Sequence, residues 1–327
     1  MTTRARALAR SVAFARAEAI ASIELTEDGV TLVASCAIAS ATEVVRTPCS
    51  SWLTHSAAFA SERAPRALDS VDARARPTVA LALHVLNERE RADEESYVAT
   101  LPKDIDLVDS WDEKRLETLR GTETRARAAG RARFIQSIHA MLGSDAKVSQ
   151  SDIAWALSMV SSRAVRSAVV PYALVPGCDL LDHSSTPNCE LRRDAATHDV
   201  SAVTTRDVRA GEMLTLSYGG DEFTNDRALR MYGFAMDGNP NDERVVGTWT
   251  ASHPAKPGRG LQFIRAHAQS LPKTALETFQ IERASLELDA ETTRLLEADA
   301  HWTRSVKALR RGQIEIIDAY LDALRAA

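Results

Sequence analysis

The order of strand-like and helix-like segments constrains the fold of this chain more than any other feature. Residues 23–53 contain short apolar runs of strand character, separated by turn-forming residues. From about residue 56 the apolar spacing becomes helical, and it returns to strand and loop between residues 169 and 236. Residues 261–327 are helical in spacing again. A parallel α/β sheet would alternate strand and helix more evenly, so this order argues against that class.

Two helical segments carry a clear apolar stripe. In the segment that begins at Pro77, apolar residues recur at Val79, Leu81 and Val85. A second helix is predicted over SQSDIAWALSMVSSRAV, in which Ser149 or Ser151 is a plausible N-cap. Its predicted buried stripe is made by Ile153, Ala156, Leu157 and Val160.

Composition and charge exclude several classes of function. A hydrophobic share of 45% and a charged share of 26% are ordinary for a globular protein with a real core. The net charge of −5 provides no basic surplus for phosphate contacts, so we expect no nucleic-acid partner. No apolar run approaches the ~20 residues that cross a bilayer, so no membrane partner is expected either.

The cysteines and the N-terminal segment bear on the compartment. Cys36, Cys49, Cys178 and Cys189 form no CxxC pair, which argues against a zinc ribbon and favours reduced, intracellular thiols. The opening MTTRARALARSVAFARA is rich in Arg and has no acid before Glu18. This composition fits either an amphipathic first helix or an organelle transit peptide. An intracellular location is expected, in the cytoplasm or a plastid, with the nucleus still open.

The segment VPGCDLLDHSSTPNC, residues 175–189, is the first candidate for chemistry. On the residues alone it fits a structural turn, a cofactor loop or a metal site. The metal interpretation would use Asp179 and His183, with Asp182, Cys178, Cys189 or His198 as further ligands. Pro187 and the surrounding turn residues disfavour the helix that this metal site would need.

Two further segments follow in the second strand-rich region. LTLSYGGDEF, residues 214–223, alternates Leu214, Leu216 and Tyr218 onto one face of a strand that ends in a Gly pair. TNDRALRMYGFAMDGNPND, residues 224–242, reads as a short helix that leads into Tyr232 and Phe234 and then a turn. Either segment alone is ordinary.

Taken in order, the motifs resemble those of a SET domain. ALVPGCDLLDH, AGEMLTLSYGG and ALRMYGF are similar to its C-terminal half. The closest likeness is to the subgroup that contains plant Rubisco large-subunit lysine methyltransferase and the actin-histidine methyltransferase. Upstream, EDGVTLVASCAIASATEVVRTPCSSWLT resembles the domain's opening, and ESYVATLP and WALSMVSSRAV resemble its helical insert. The resemblance covers roughly residues 23–245, about two-thirds of the chain.

This resemblance implies an α+β fold with a small, pseudoknotted β-sheet core, a helical insertion and a C-terminal all-helical substrate-binding domain. The expected divisions are an N-terminal helix or targeting-like segment at 1–22, a SET domain at 23–245 with its insert at about 56–168, and a helical domain at 246–327. The subgroup holds no zinc, and no metal is expected here.

The resemblance also implies S-adenosyl-L-methionine as cofactor and methyl transfer to a lysine, or alternatively a histidine, of a protein substrate. Tyr218 would be the catalytic residue, beside the transferring methyl, and Arg163 would bind the cofactor carboxylate. The full set of implied cofactor-binding residues is Asp28, Gly29, Val30, Arg163, Asp179, Asp182, His183, Tyr218, Tyr232 and Phe234. The helical domain and the SET channel would bind the protein substrate, and a monomer is expected.

Two departures from the family pattern keep an alternative open. Thr31 stands where the family prefers a second glycine, and Asp182 replaces the Asn before His183. An ionised Asp only accepts hydrogen bonds, so any donation by an Asn is lost. The alternative is a catalytically weakened SET-like module that binds protein.

Overall fold

The computed structural model describes residues 21–26, 29–59, 68–93, 96–104, 106–143, 147–166, 170, 172–298 and 300–327. The predicted N-terminal helix or targeting-like segment therefore lies almost wholly outside the described residues, and so does Asp28.

The chain forms two compact units, and each draws on two separate stretches of sequence. The first unit contains the chain up to residue 105 and residues 134–218. The second unit contains residues 106–133 and 219–327. Residues 106–133, which the sequence placed in the helical insert of the SET domain, thus associate with the C-terminal part of the chain. The division of the chain at residues 22 and 245 stays a prediction.

Short strands, arranged in separate small sheets, make the framework of the first unit. They are β1 (Ala21–Thr26), β2 (Gly29–Ala34), β3 (Glu43–Thr47), β4 (Leu53–Thr54), β5 (Ala164–Val165), β6 (Ala173–Leu174), β7 (Asp182–His183), β8 (Cys189–Arg193), β9 (Val200–Thr204) and β10 (Thr215–Leu216). The antiparallel sheets are β1–β2, β3–β9–β8 and β4–β6–β5, whereas β7 and β10 pair in parallel.

A buried apolar cluster joins these small sheets. Strand β9 is buried along its whole length between β3 and β8, and the hydroxyls of its Ser201 and Thr204 donate to Glu43 and to the Ala39 carbonyl. Leu32 of β2 and Leu214 lie in the same cluster, and Leu214 donates its amide to the Leu32 carbonyl. The strand-rich segments on either side of the helical region therefore fold into one core.

Helices between these strands form the second buried cluster of the first unit. They are α2 (Arg76–Arg91), α3 (Tyr97–Thr100), the last turns of α5 (Glu123–Leu142) and α6 (Gln150–Arg163), and the short helix α1 (His55–Phe59) precedes them in the chain. Ser149 is the N-cap of α6 and forms a capping box with Asp152. Ile153, Leu157 and Val160 are buried, which confirms the stripe predicted from the sequence.

The second unit is mostly helical. It contains α4 (Glu113–Glu117), the first turns of α5, α7 (Asn225–Tyr232), α8 (Leu261–Ser270), α9 (Ala275–Ser285), α10 (Ala290–Leu295) and α11 (His301–Arg325). It also contains a hairpin of β11 (Glu243–Val246) and β12 (Trp249–Ser252), which the sequence did not predict. With this addition, the structure confirms the α+β class, the helical insertion and the C-terminal helices.

Two arginines and a glycine fix residues 118–122 within the second unit. The buried Arg310 of α11 donates to the carbonyls of Thr118, Arg120 and Leu286. Arg244 donates to the Gly121 carbonyl at 2.8 Å. Gly121 has φ +77°, and a Cβ there would overlap the backbone carbonyl of Ser285.

No helix within the described ranges is both long enough and apolar enough to cross a membrane.

Candidate functional site

A tight turn followed by a two-residue strand shapes residues 175–183. Gly177 has φ +84°, which favours glycine, and Cys178–Leu180 form a single 3₁₀ turn. The Thr47 hydroxyl donates to the Pro176 carbonyl at 2.7 Å and fixes the entry to this turn. The segment is therefore a turn rather than the helix that a metal site at Asp179 and His183 would need.

The parallel pairing of β7 with β10 joins two of the motifs that the sequence singled out. Asp182 lies opposite Thr215, and His183 lies opposite Leu216. Tyr218 follows β10 by two residues, so the pairing places it next to the end of β7. The three residues that the sequence predicted here thus belong to one local structure.

Tyr218 is held at both ends. Its hydroxyl donates to the Leu181 carbonyl at 2.7 Å, and its backbone amide donates to His183 Nδ1 at 3.2 Å. The ring centroids of His183 and Tyr218 lie 5.4 Å apart. A phenol that donates to a fixed carbonyl presents its oxygen as an acceptor in a defined direction.

His183 is neutral at physiological pH. Burial lowers the pKa of its imidazole from 6.5 to about 4, against a smaller opposing effect of the Leu216 backbone. Because Nδ1 accepts the Tyr218 amide, the neutral ring carries its proton on Nε2. His183 therefore positions the backbone of Tyr218 and carries no charge there.

Arg163 and Asp179 form a buried ion pair in the same unit. Arg163 is the last residue of α6, and its Nη1 lies 3.0 Å from Asp179 Oδ2. The side chains are 16% and 1% exposed. Burial acts to lower the pKa of Arg163, but Asp179 and Tyr97 outweigh it and the pKa is raised, so the guanidinium stays charged.

The Asp179 carboxylate is fully engaged within the protein. Its Oδ2 accepts from Tyr97 and Arg163, and its Oδ1 accepts the Gly177 amide at 3.0 Å. The Asp179 carbonyl also accepts from Arg163, at 3.3 Å. Asp179 therefore braces the turn and holds Arg163, and its carboxylate faces internal donors rather than a ligand.

Tyr97 is the residue of this site that the sequence interpretation missed. Its hydroxyl donates to Asp179 at 2.9 Å from the start of α3. It lies within ESYVATLP, the segment already noted for its likeness to the SET insert, so the motif itself was the available signal. The motif does not predict the hydrogen-bond partner of Tyr97, because Asp179 is distant in sequence.

Arg163 fits the carboxylate-binding role that the resemblance assigns to it. Its Nε is buried and has no hydrogen-bond partner among the described residues, so this donor is left for a ligand or water. A charged guanidinium with a remaining donor suits a carboxylate. The chemistry of Arg163 is therefore compatible with the carboxylate of S-adenosylmethionine, and its role toward the cofactor stays a prediction.

Gly29 and Val30 begin β2, and Val30 packs against the same apolar cluster as Tyr218. Thr31 is fully buried, and its Oγ1 has no hydrogen-bond partner within the described part of the chain. The cost of burying such a hydroxyl is about 1–3 kcal/mol.

Tyr232 and Phe234 belong to the second unit, where they form an aromatic cluster with Phe223. The three ring centroids lie 5.7–6.2 Å apart. Gly233 between them has φ +82° and ends α7, which turns the chain so that both rings reach Phe223. Their role toward a cofactor stays a prediction.

The metal interpretation gains no support from the described residues, where no three His, Cys, Asp or Glu side chains cluster to hold an ion. Burial raises the pKa of Cys178 to about 12 and that of Cys189 to about 11. Both thiols are therefore protonated at neutral pH and are poor metal ligands.

Comparisons with known structures give the fold. The SET domain of LSMT bound to lysine and AdoHcy matches with a TM-score of 0.73 at 17% identity, over 99% of this chain and 91% of the other. Rubisco LSMT bound to AdoMet matches with a TM-score of 0.73 at 18% identity, over 100% and 92%. Rubisco LSMT bound to sinefungin and monomethyllysine gives 0.74 at 17%, over 100% and 92%.

Among curated protein sequences, none matches this chain significantly. The family model of the SET domain, in contrast, matches residues 29–219, which is more than half of the chain and includes Tyr218 and its supporting residues. The chain belongs to the SET domain family.

Proposed function

We propose that this protein is an S-adenosylmethionine-dependent methyltransferase that acts on a lysine side chain of a protein substrate. The observation that carries the proposal is the fixed Tyr218, held by Leu181 and His183 at the end of the SET match. The neighbouring structures with AdoMet, AdoHcy, lysine and monomethyllysine support it, although they are distant in sequence.

The cofactor would supply a methyl group on a sulfonium centre. Arg163 would bind its carboxylate, and the backbone of Asp182 and His183 would border its adenine. The neutral His183 adds no positive charge near a cationic ligand, and so does not oppose its binding.

Tyr218 would hold the acceptor amine in line with the transferring methyl. Its proton is committed to the Leu181 carbonyl, so the phenol oxygen acts as an acceptor toward the amine N–H. An in-line displacement requires the donor and the acceptor to be held collinear. Hydrogen bonds at the amide and at the hydroxyl of Tyr218 fix the position of its phenol oxygen, as this alignment requires.

The lysine must lose its proton before transfer. With a reference pKa of ~10.4, deprotonation at neutral pH costs on the order of 4–5 kcal/mol. A dry channel beside a sulfonium cation would lower that pKa, because both disfavour the ammonium form. The proposal therefore needs no dedicated general base.

The second unit would bind the protein that carries the lysine. Its hairpin and long helix α11 form a separate core with their own buried cluster. A separate compact unit can present a docking surface without altering the residues around Tyr218. A monomer is the expected functional state.

The test uses radiolabelled S-adenosylmethionine and a cell lysate that lacks the protein. We expect label on a specific band, reduced about 10²–10³-fold by Tyr218→Phe. Tyr172→Phe is the matched control, because it removes another tyrosine hydroxyl of the same unit, one that accepts from Thr78. Fragmentation of the labelled product distinguishes a lysine acceptor from a histidine.

Calorimetry separates this proposal from the SET-like binding module. If the wild-type protein binds no S-adenosylmethionine at millimolar concentration, the methyltransferase is excluded. If it binds the cofactor but Tyr218→Phe transfers methyl at the wild-type rate, the role given to Tyr218 is wrong.

A further inference from the structure

Tyr97 links the helical insert to the turn that contains Asp179. It is the first residue of the short helix α3, whose N-cap Ser96 accepts the Ala99 amide. The Tyr97 ring is buried in the helical cluster of the first unit, and its hydroxyl reaches Asp179 Oδ2 at 2.9 Å. A polar tip on a buried ring needs a partner, and here that partner is a carboxylate.

Asp179 Oδ2 is shared between Tyr97 and Arg163. The two donors lie 2.9 Å and 3.0 Å from the same oxygen. The hydrogen bond from Tyr97 therefore weakens the electrostatic attraction between this carboxylate and the Arg163 guanidinium.

We propose that Tyr97 is a positioning residue that tunes Arg163 for binding the carboxylate of S-adenosylmethionine. This inference rests on the proposed function. A guanidinium that is fully neutralised by its own buried partner binds a second carboxylate weakly. The neutral donors on Asp179, the Tyr97 hydroxyl and the Gly177 amide, satisfy part of that carboxylate and leave Arg163 with positive potential toward a ligand.

The protonation state of Tyr97 fits this role. Burial, followed by the charge of Asp179, raises its pKa well above 10, so the hydroxyl remains a donor throughout the physiological range. The link between α3 and Arg163 is thereby insensitive to pH near neutrality.

The test compares two ligands that differ at the amino-acid end. S-Adenosylhomocysteine carries the carboxylate, whereas 5′-methylthioadenosine lacks the whole amino-acid moiety. In calorimetry, Tyr97→Phe is expected to weaken S-adenosylhomocysteine about tenfold, as loss of a hydrogen bond to a charged group implies. Binding of 5′-methylthioadenosine should stay within about twofold of the wild-type value.

A double-mutant cycle tests whether Tyr97 acts through Arg163. In an Arg163→Lys background, Tyr97→Phe should change the affinity for S-adenosylhomocysteine by less than about twofold. Arg163→Lys alone should weaken S-adenosylhomocysteine more than 5′-methylthioadenosine, which keeps the idea testable even if Tyr97→Phe does not fold. Tyr172→Phe is again the control and should leave both affinities unchanged.

The possible results point in different directions. Equal weakening of both ligands by Tyr97→Phe would mean a structural role only, and no weakening of either would also overturn the inference. If Arg163→Lys binds S-adenosylhomocysteine as tightly as the wild type does, Arg163 does not bind the ligand carboxylate and Tyr97 cannot act through it. A wild-type protein that binds neither ligand would instead refute the proposed function itself.

Discussion

Replacing Arg310 by Met should destabilise the protein by removing a buried hub of hydrogen bonds. Arg310 is 6% exposed and donates to the carbonyls of Thr118 and Arg120 at 3.1 Å and 2.9 Å, and to that of Leu286. These carbonyls lie just past the C-terminal ends of α4 and α9, where a helix leaves acceptors unsatisfied. Met has a similar length and no donor.

Two opposing free energies decide the size of the effect. Burial, with smaller effects of Arg244, Arg120 and Arg283, lowers the pKa of Arg310 from 12.5 to about 10. At roughly 1.36 kcal/mol per pH unit, holding the charge there costs about 3 kcal/mol. Three hydrogen bonds from a charged donor stabilise the folded state by roughly 5–8 kcal/mol, which exceeds the cost of holding the charge. The variant should therefore lose about 3 kcal/mol of unfolding free energy.

The assay is urea unfolding followed by far-UV circular dichroism and tryptophan fluorescence. Arg311→Met is the matched control, because Arg311 is the next residue, is half exposed and pairs with Asp237 on the surface. A surface ion pair of this kind is worth roughly 0–1 kcal/mol. If Arg310→Met and Arg311→Met differ by less than about 0.5 kcal/mol, the three carbonyls do not stabilise the fold as argued.

Further outcomes follow from the second unit and from the site. Gly121→Ala should lower the free energy of unfolding by about 3 kcal/mol or more in chemical denaturation, because φ is +77° and the added Cβ would overlap the Ser285 carbonyl. Gly130→Ala in α5 is the control, since its Cβ meets open space and the change should be neutral or slightly stabilising. Burial raises the pKa of Asp242 from 3.8 to about 7, so the folded state binds more protons than the unfolded state between these values. Stability should therefore fall as the pH rises through this window, and an Asp242→Asn variant with an unchanged pH slope would contradict the assignment. His183 acts in the opposite sense, because folding lowers its pKa from 6.5 to about 4 and the unfolded state binds more protons between these values. The free energy of unfolding should therefore fall as the pH falls through this range. His183→Gln should lack this part of the pH dependence.

Much of the fold follows from local sequence signals. The capping box of Ser149 and Asp152 and the stripe of Ile153 and Leu157 are encoded within one helix, so the prediction of α6 was confirmed. The motif order also placed Arg163 within the unit that contains Tyr218. These features depend on spacing within short segments, which a single sequence displays directly.

The rest depends on contacts between distant residues. The hydrogen bond from Tyr97 to Asp179 spans 82 positions, and that from Arg310 to Thr118 spans 192. Neither pair has a local signature. The β11–β12 hairpin was missed because Val245 points outward, 57% exposed, and the run is too short to show a clear alternation.

The path of the chain through its two units has a consequence for synthesis and for truncation. Trp111 and Leu119 leave the ribosome about a hundred residues or more before Leu229 and Leu309, with which they share a buried cluster. During synthesis, this apolar surface stays uncovered after the first unit has been completed. A fragment cut after the SET match would keep the same surface exposed permanently, and would be prone to aggregate even with its Tyr218 region intact.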